Sequence, residues 1–180
     1  TDSSGIIQWQ NTIGGTGAGE GNVISGLKQV IAVSAGVYIT SSNNNYLTGN
    51  IIGPAADGLT WLGNTNQKIG ILISASDNNV IAANIISGNQ ISGIQFSSSA
   101  ANNTIKSNSI GPQKNGVSIP VGSLQANGIY SPPGGASNLI IGGSLIADRN
   151  IISGNSTAGV YGDIGTGSQI KNNYIGLDIT

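Results

Sequence analysis

The sequence predicts an all-β chain wound as a right-handed, single-stranded parallel β-helix, a β-solenoid of about six coils with three short strands in each. Three observations carry this expectation. Apolar residues recur as short Ile/Val-rich runs such as Gly70-Ile71-Leu72-Ile73 and Asn84-Ile85-Ile86-Ser87, punctuated by Gly and Asn, the pattern of many short strands joined by tight turns. A Gly followed by a β-branched residue returns at Gly5-Ile6, Gly36-Val37, Gly70-Ile71, Gly93-Ile94, Gly128-Ile129 and Gly159-Val160. Two further anchors of the form Asn-x-Ile or Asn-x-Leu follow each return.

The first strand of a coil starts at the Gly. Side chains alternate across a strand, so Val37 and Ile39 face one way and Tyr38 the other. The second strand carries Asn11/Ile13, Asn45/Leu47, Asn79/Ile81, Asn103/Ile105, Asn138/Ile140 and the variant Ser168/Ile170. The third carries Asn22/Ile24, Asn50/Ile52, Asn84/Ile86, Asn108/Ile110, Asn150/Ile152 and Asn173/Ile175. Second and third anchors are five residues apart in coils two, three, four and six. Stacking at about 4.8 Å puts like over like. The third-strand Ile residues then form an interior column, and Asn22, Asn50, Asn84, Asn108, Asn150 and Asn173 a structural ladder of amides bonded from coil to coil. Asn also tolerates the left-handed backbone of a sharp corner.

The coil from Gly70 to Ser92 is minimal, and the others carry insertions. After the third strand, coils two and four take twenty residues from the anchor Asn to the next Gly, against nine in the short corners. After the second strand, coils one and five insert instead, at Gly14–Gly21 and Gly142–Arg149. A single domain 1–180 is thus divided into two-coil superrepeats 5–69, 70–127 and 128–180, the last incomplete. Insertions at one corner project from one edge, so the long loops should form a row along the solenoid.

The runs Asn11-Thr12-Ile13-Gly14-Gly15, Gly21-Asn22-Val23-Ile24-Ser25-Gly26, Gly49-Asn50-Ile51-Ile52-Gly53 and Asn150-Ile151-Ile152-Ser153-Gly154-Asn155 resemble the repeats of the pectate-lyase-like superfamily of right-handed parallel β-helices. The likeness extends over nearly the whole chain. It implies right-handed winding, in agreement with the crossover rule for parallel strands. Its implications for activity are broad, because that superfamily spans polysaccharide lyases, hydrolases, epimerases, phage tail proteins, adhesins and modules without known chemistry. Its enzymes cluster carboxylates on one face, often with a Lys or Arg.

Composition narrows the chemistry. Charged residues are 7% of the chain, six Lys+Arg against seven Asp+Glu, so no electrostatic footprint for nucleic acid or an anionic membrane exists. No apolar run approaches the roughly 18 residues of a membrane span, and no membrane insertion is expected. His and Cys are absent, which removes a Cys nucleophile, a histidine triad and the usual zinc site. No metal, cofactor or catalytic residue is assigned. The acids Asp2, Glu20, Asp57, Asp77, Asp148, Asp163 and Asp178 are spread over different coils without an Asp-Asp or Asp-x-Asp pair. Glu20 and Asp148 share a corner type but lie four coils apart, roughly 19 Å along the axis. Gly14–Gly21 lacks the Lys-Ser/Thr ending of a phosphate loop. The sequons at Asn102 and Asn155 match by pattern only. Methionine is also absent, which suits a processed or excised chain, and low charge without thiols suits an extracellular or cell-surface location.

Two outward columns are unusually apolar: Ile7, Tyr38, Leu72, Gln95, Tyr130, Tyr161 on the first strands, and Val23, Ile51, Ile85, Ser109, Ile151, Tyr174 on the third. Either long loops fold over them or they contact a neighbour, a polysaccharide or another surface. Tyr38, Tyr130, Tyr161 and the loop residue Trp61 are the candidate ligand or interface residues. A solenoid exposes strand edges at both ends unless a cap covers them, and neither end carries an amphipathic helical segment. The leading expectation is a structural or adhesive module that self-associates end to end into a filament or longer solenoid. The alternative is a polysaccharide-binding or polysaccharide-processing domain, lyase-like or hydrolase-like.

Overall fold

The computed structural model describes residues 10–27, 34–62, 66–117 and 125–176. The first strand expected at Gly5-Ile6 and both chain termini lie outside the described residues. The strands form three long parallel stacks, each step along a stack being one coil in sequence, and a short fourth in which Ala100–Ala101 pairs with Ala136–Ser137. The first-strand stack holds Ala35–Thr40, Ile69–Ser74, Ser92–Ser97, Asn127–Ser131 and Ala158–Gly162. The second holds Thr12–Gly14, Tyr46–Thr48, Val80–Ala82, Thr104–Lys106, Ile140–Gly142 and Gln169–Lys171. The third holds the two-residue strands Val23–Ile24, Ile51–Ile52, Ile85–Ile86, Ser109–Ile110, Ile151–Ile152 and Tyr174–Ile175. The chain is a right-handed parallel β-helix.

The registers follow the anchors. Val37, Ile71, Ile94, Ile129 and Val160 stack in one column. Ile24, Ile52, Ile86, Ile110, Ile152 and Ile175 stack in another, and the four central members are fully buried. The coil-start glycines tie these columns together. A Cβ on Gly70 would come within 2.7 Å of Ile86 Cγ2, and one on Gly128 within 2.5 Å of Ile152 Cγ2. The third-strand Ile therefore packs into the space that the missing side chain leaves.

Coil five departs from its expected register. Ile141, not Ile140, stacks on Ile105 and Ile170, and Leu139 takes the seat that Asn103 holds one coil earlier. Asn138 instead has φ +50°, matching Asn44, Asn78 and Asn102 at +60°, +57° and +56°. The left-handed corner is thus made by the residue before the ladder position, and the doublets Asn44-Asn45, Asn78-Asn79 and Asn102-Asn103 divide two jobs between two residues. In coil five the doublet reads Asn138-Leu139, so the one remaining Asn marks the corner. The pair Asn138/Ile140 is corrected to Leu139/Ile141, both fully buried.

The long loops after the third strand of coils two and four reach each other across the short corner of coil three. Lys114 donates its backbone N–H to Gly58 O at 2.9 Å, and Gln113 Nε2 donates to Leu59 O at 2.6 Å. Each loop is itself closed by a tight turn, Gly58 N–H to Ala55 O and Gly116 N–H to Gln113 O, both 2.8 Å. The loops lean over the outward third-strand column: Gly58 lies against Ile85, and Ile51, Ile85, Ser109 and Ile151 are half-buried.

Candidate functional site

Three side-chain ladders run parallel to the solenoid axis. In the longest, Asn22, Asn50, Asn84, Asn108, Asn150 and Asn173 each donate Nδ2 to the Oδ1 of the next, at 2.8 to 3.0 Å. The same Oδ1 also accepts the preceding Asn backbone N–H at 2.9 to 3.1 Å. A second ladder joins Asn11, Asn45, Asn79 and Asn103 at 2.7 to 2.9 Å and stops at Leu139. A third, Gln67–Asn89–Gln125–Asn155, bonds at 2.7 to 3.1 Å and is additional to the ladders that the Asn-x-Ile anchors predict. Its sequence signal is an amide residue three or four places before the Gly that starts coils three to six, hidden because long-loop coils use Gln and short ones Asn. Asn155, the Asn of one sequon, spends its amide in this ladder.

The outward column of first strands presents aromatic groups. Tyr38 and Tyr161 are each 52% exposed, Leu72 is buried, and Gln95 and Tyr130 are half-buried. Tyr130 and Tyr161 stack with ring centroids 5.6 Å apart and planes inclined by 22°, an offset arrangement favourable for aromatic pairs. Beside Tyr38 an open hollow of about 250 Å³ is lined by Asn11, Ile13, Ile39, Thr40, Ser42 and Asn45. Trp61 lies elsewhere, half-buried on the coil-two loop. Its backbone bridges Pro54, and its Nε1 donates to Gly88 O at 3.2 Å, holding the ring against coil three. The structure therefore gathers Tyr130 with Tyr161, sets Tyr38 on the same face, and keeps Trp61 apart.

Each described carboxylate is engaged in local structure. Glu20 accepts Gly17 N–H at 2.7 Å, and Asp77 accepts Ala101 N–H at 2.7 Å. Asp163 accepts Gly165 N–H at 2.8 Å. Asp148 bonds Leu145 N–H and pairs with Lys106 Nζ at 3.2 Å. Asp57 accepts the Thr60 hydroxyl and the N–H groups of Leu59 and Thr60 at 2.6 to 2.8 Å. These bonds, the Thr60 hydroxyl first, hold the Asp57 carboxyl below its ordinary value. Among the described residues no three acids gather where they could grip a metal ion, and no helix is long and apolar enough to cross a membrane.

Three long stacks of parallel strands with internal amide ladders define a parallel β-helix repeat protein. More particularly, residues 4–131 match the model of the periplasmic copper-binding protein (NosD) family, and the chain belongs to that family. No curated protein matches it. Among solved structures, the alginate lyase from Paenibacillus sp. str. FPU-7 superposes with a TM-score of 0.60 at 15% identity, over 91% of this chain and 52% of the lyase. The chain thus spans about half the lyase's length, and the likeness is one of fold. The periplasmic description of the family accords with an extracytoplasmic location. Its copper does not fit this chain. Copper sites draw on thiolate, thioether or imidazole donors, and the chain has no Cys, Met or His, while its described carboxylates are dispersed and occupied.

Proposed function

We propose that the chain is an extracytoplasmic, cell-surface structural module that extends by adding coils end to end. The observation that supports this reading is the unbroken coil-to-coil register of the inward columns, Ile141 on Ile170 and Ile152 on Ile175 repeating the steps before them, so that each rung is a template for the next. The ladder also has a single polarity: Asn22, Asn50, Asn84, Asn108 and Asn150 each give N–H and Nδ2 to the Oδ1 of the Asn one coil on. A contact of this kind is heterologous and propagates instead of closing.

Analytical ultracentrifugation and electron microscopy of the purified chain test the reading. Concentration-dependent head-to-tail assemblies are expected, and Ile170→Lys with Ile175→Lys should abolish them. A chain that stays monomeric at high concentration, with its end residues protected from hydrogen exchange, would overturn it.

A second reading, glycan binding along the Tyr38–Tyr161 face, is favoured by exposed tyrosines flanked by Asn, Ser and Thr. The two rings lie four rungs apart, roughly 19 Å. Loss of glycan-array signal in Tyr161→Ala, with assembly unchanged, would support this reading over the first.

A further inference from the structure

We propose that the coil-five corner Gly142–Arg149 docks the chain on an anionic lipid surface. Leu145 and Ile146 are 66% and 78% exposed, the most exposed large apolar side chains among the described residues. They stand at the tip of the insertion, where a single 3₁₀ turn spans Ile146–Asp148. The corner does not need them: the equivalent coil-one insertion carries Thr16-Gly17-Ala18-Gly19.

The tip is held rigidly. Asp148 and Arg149 donate their N–H groups to Leu145 O and Ile146 O at 3.1 Å, and Ser107 N–H reaches Asp148 O at 3.0 Å. From coil six, Asn172 Nδ2 donates to Leu145 O at 2.9 Å. The apolar pair is therefore presented by a loop bolted to both neighbouring coils, and its insertion into another phase orders nothing further.

Charge is concentrated at the same corner. Lys106, Arg149 and Lys171 are three of the six cations in the chain. Lys171 stands in register with Gly142 at the base of the insertion, Arg149 ends it, and Lys106 pairs with Asp148 from the coil before. Against three cations stands the one carboxylate of Asp148, a local charge of +2 on a chain whose net charge is −1. The Arg149 guanidinium also lies 4.2 Å from the Tyr174 ring centroid. Whole-chain composition averages this patch away.

Exposed aliphatic groups ringed by Lys and Arg are the elements of interfacial membrane attachment: the apolar groups enter the headgroup boundary while the cations meet anionic headgroups. A glycan would instead be met by a flat aromatic platform, which this tip lacks. The patch lies on the flank of the solenoid, so the inference is independent of end-to-end stacking, and it concerns adsorption to a membrane, not passage through one.

Co-sedimentation with phosphatidylcholine vesicles, with and without phosphatidylglycerol, tests it. The unaltered chain should bind the phosphatidylglycerol vesicles and lose them as salt rises. The double variant Leu145→Ser/Ile146→Ser should bind at least about tenfold more weakly, and Lys171→Gln roughly fivefold more weakly. All three substitutions alter exposed side chains, and an unchanged melting temperature checks that the fold is intact. Absence of vesicle binding by the unaltered chain, equal binding by the variants, or tip-dependent capture of a protein without lipid binding would each overturn the proposal.

Discussion

Asn108 shows how much one side chain can hold in this fold. Its Oδ1 accepts both Asn84 Nδ2 and Asn84 N–H, and its Nδ2 lies within bonding distance of Ile81 O, Lys106 O and Asn150 Oδ1. All of this is buried, so truncation strands groups on three coils. Asn108→Ala is expected to lower the unfolding free energy by about 3 kcal/mol, since each buried polar group left unpaired costs roughly 1–3 kcal/mol. Asn22→Ala, at the more open end of the same ladder, should cost only about 1 kcal/mol; urea denaturation of both variants measures the difference. Asp57 makes a different kind of local statement. Its folded pKa is depressed by the Thr60 hydroxyl and the neighbouring N–H groups. The loop stability it contributes is therefore fully present above the unfolded pKa and is lost as pH falls through the folded one. Titration followed on the Leu59 and Thr60 amides should show a midpoint below that of a free aspartate, and Thr60→Val should raise it.

At the scale of strands and corners, the sequence was legible wherever one residue type does one job. The third-strand Asn-x-Ile anchors stack without a slip, because an inward Ile and a laddered Asn are both required at every rung. The coil-five second strand lies one residue on from the Asn that marks it, because two adjacent Asn residues usually share the corner and only the left-handed one is kept there. The third ladder has no single-letter signature, because Gln and Asn alternate with loop length. The exposed Leu145–Ile146 tip is silent in the sequence for another reason: a two-residue apolar step has no periodicity to mark it. The coil-start Gly is more exacting than a search for turns suggests. Gly70→Ala would set a Cβ 2.6 Å from Gly93 O and 2.7 Å from Ile86 Cγ2. Overpacking of this kind is expected to cost about 1–3 kcal/mol, seen as a lower urea midpoint with little change in slope.

For the molecule as a whole, stability is a sum over neighbouring rungs, since each coil touches mainly the one before and the one after. Family membership and fold agree on the architecture, while the donor set separates this chain from the metal in the family's description. Its surfaces then divide by direction. One flank carries the tyrosine face, and the coil-five corner carries the charged apolar tip.

The handclasp between the coil-two and coil-four loops sets a rule for how such a chain can be lengthened or cut. The two loops meet because a short coil separates them; Lys114 reaches Gly58 over the corner of coil three. Excising that coil alone would bring two bulky loops onto adjacent rungs about 4.8 Å apart, with no gap for either to fill. A shorter or longer version that keeps this contact therefore loses or gains coils without removing the short one between the two loops.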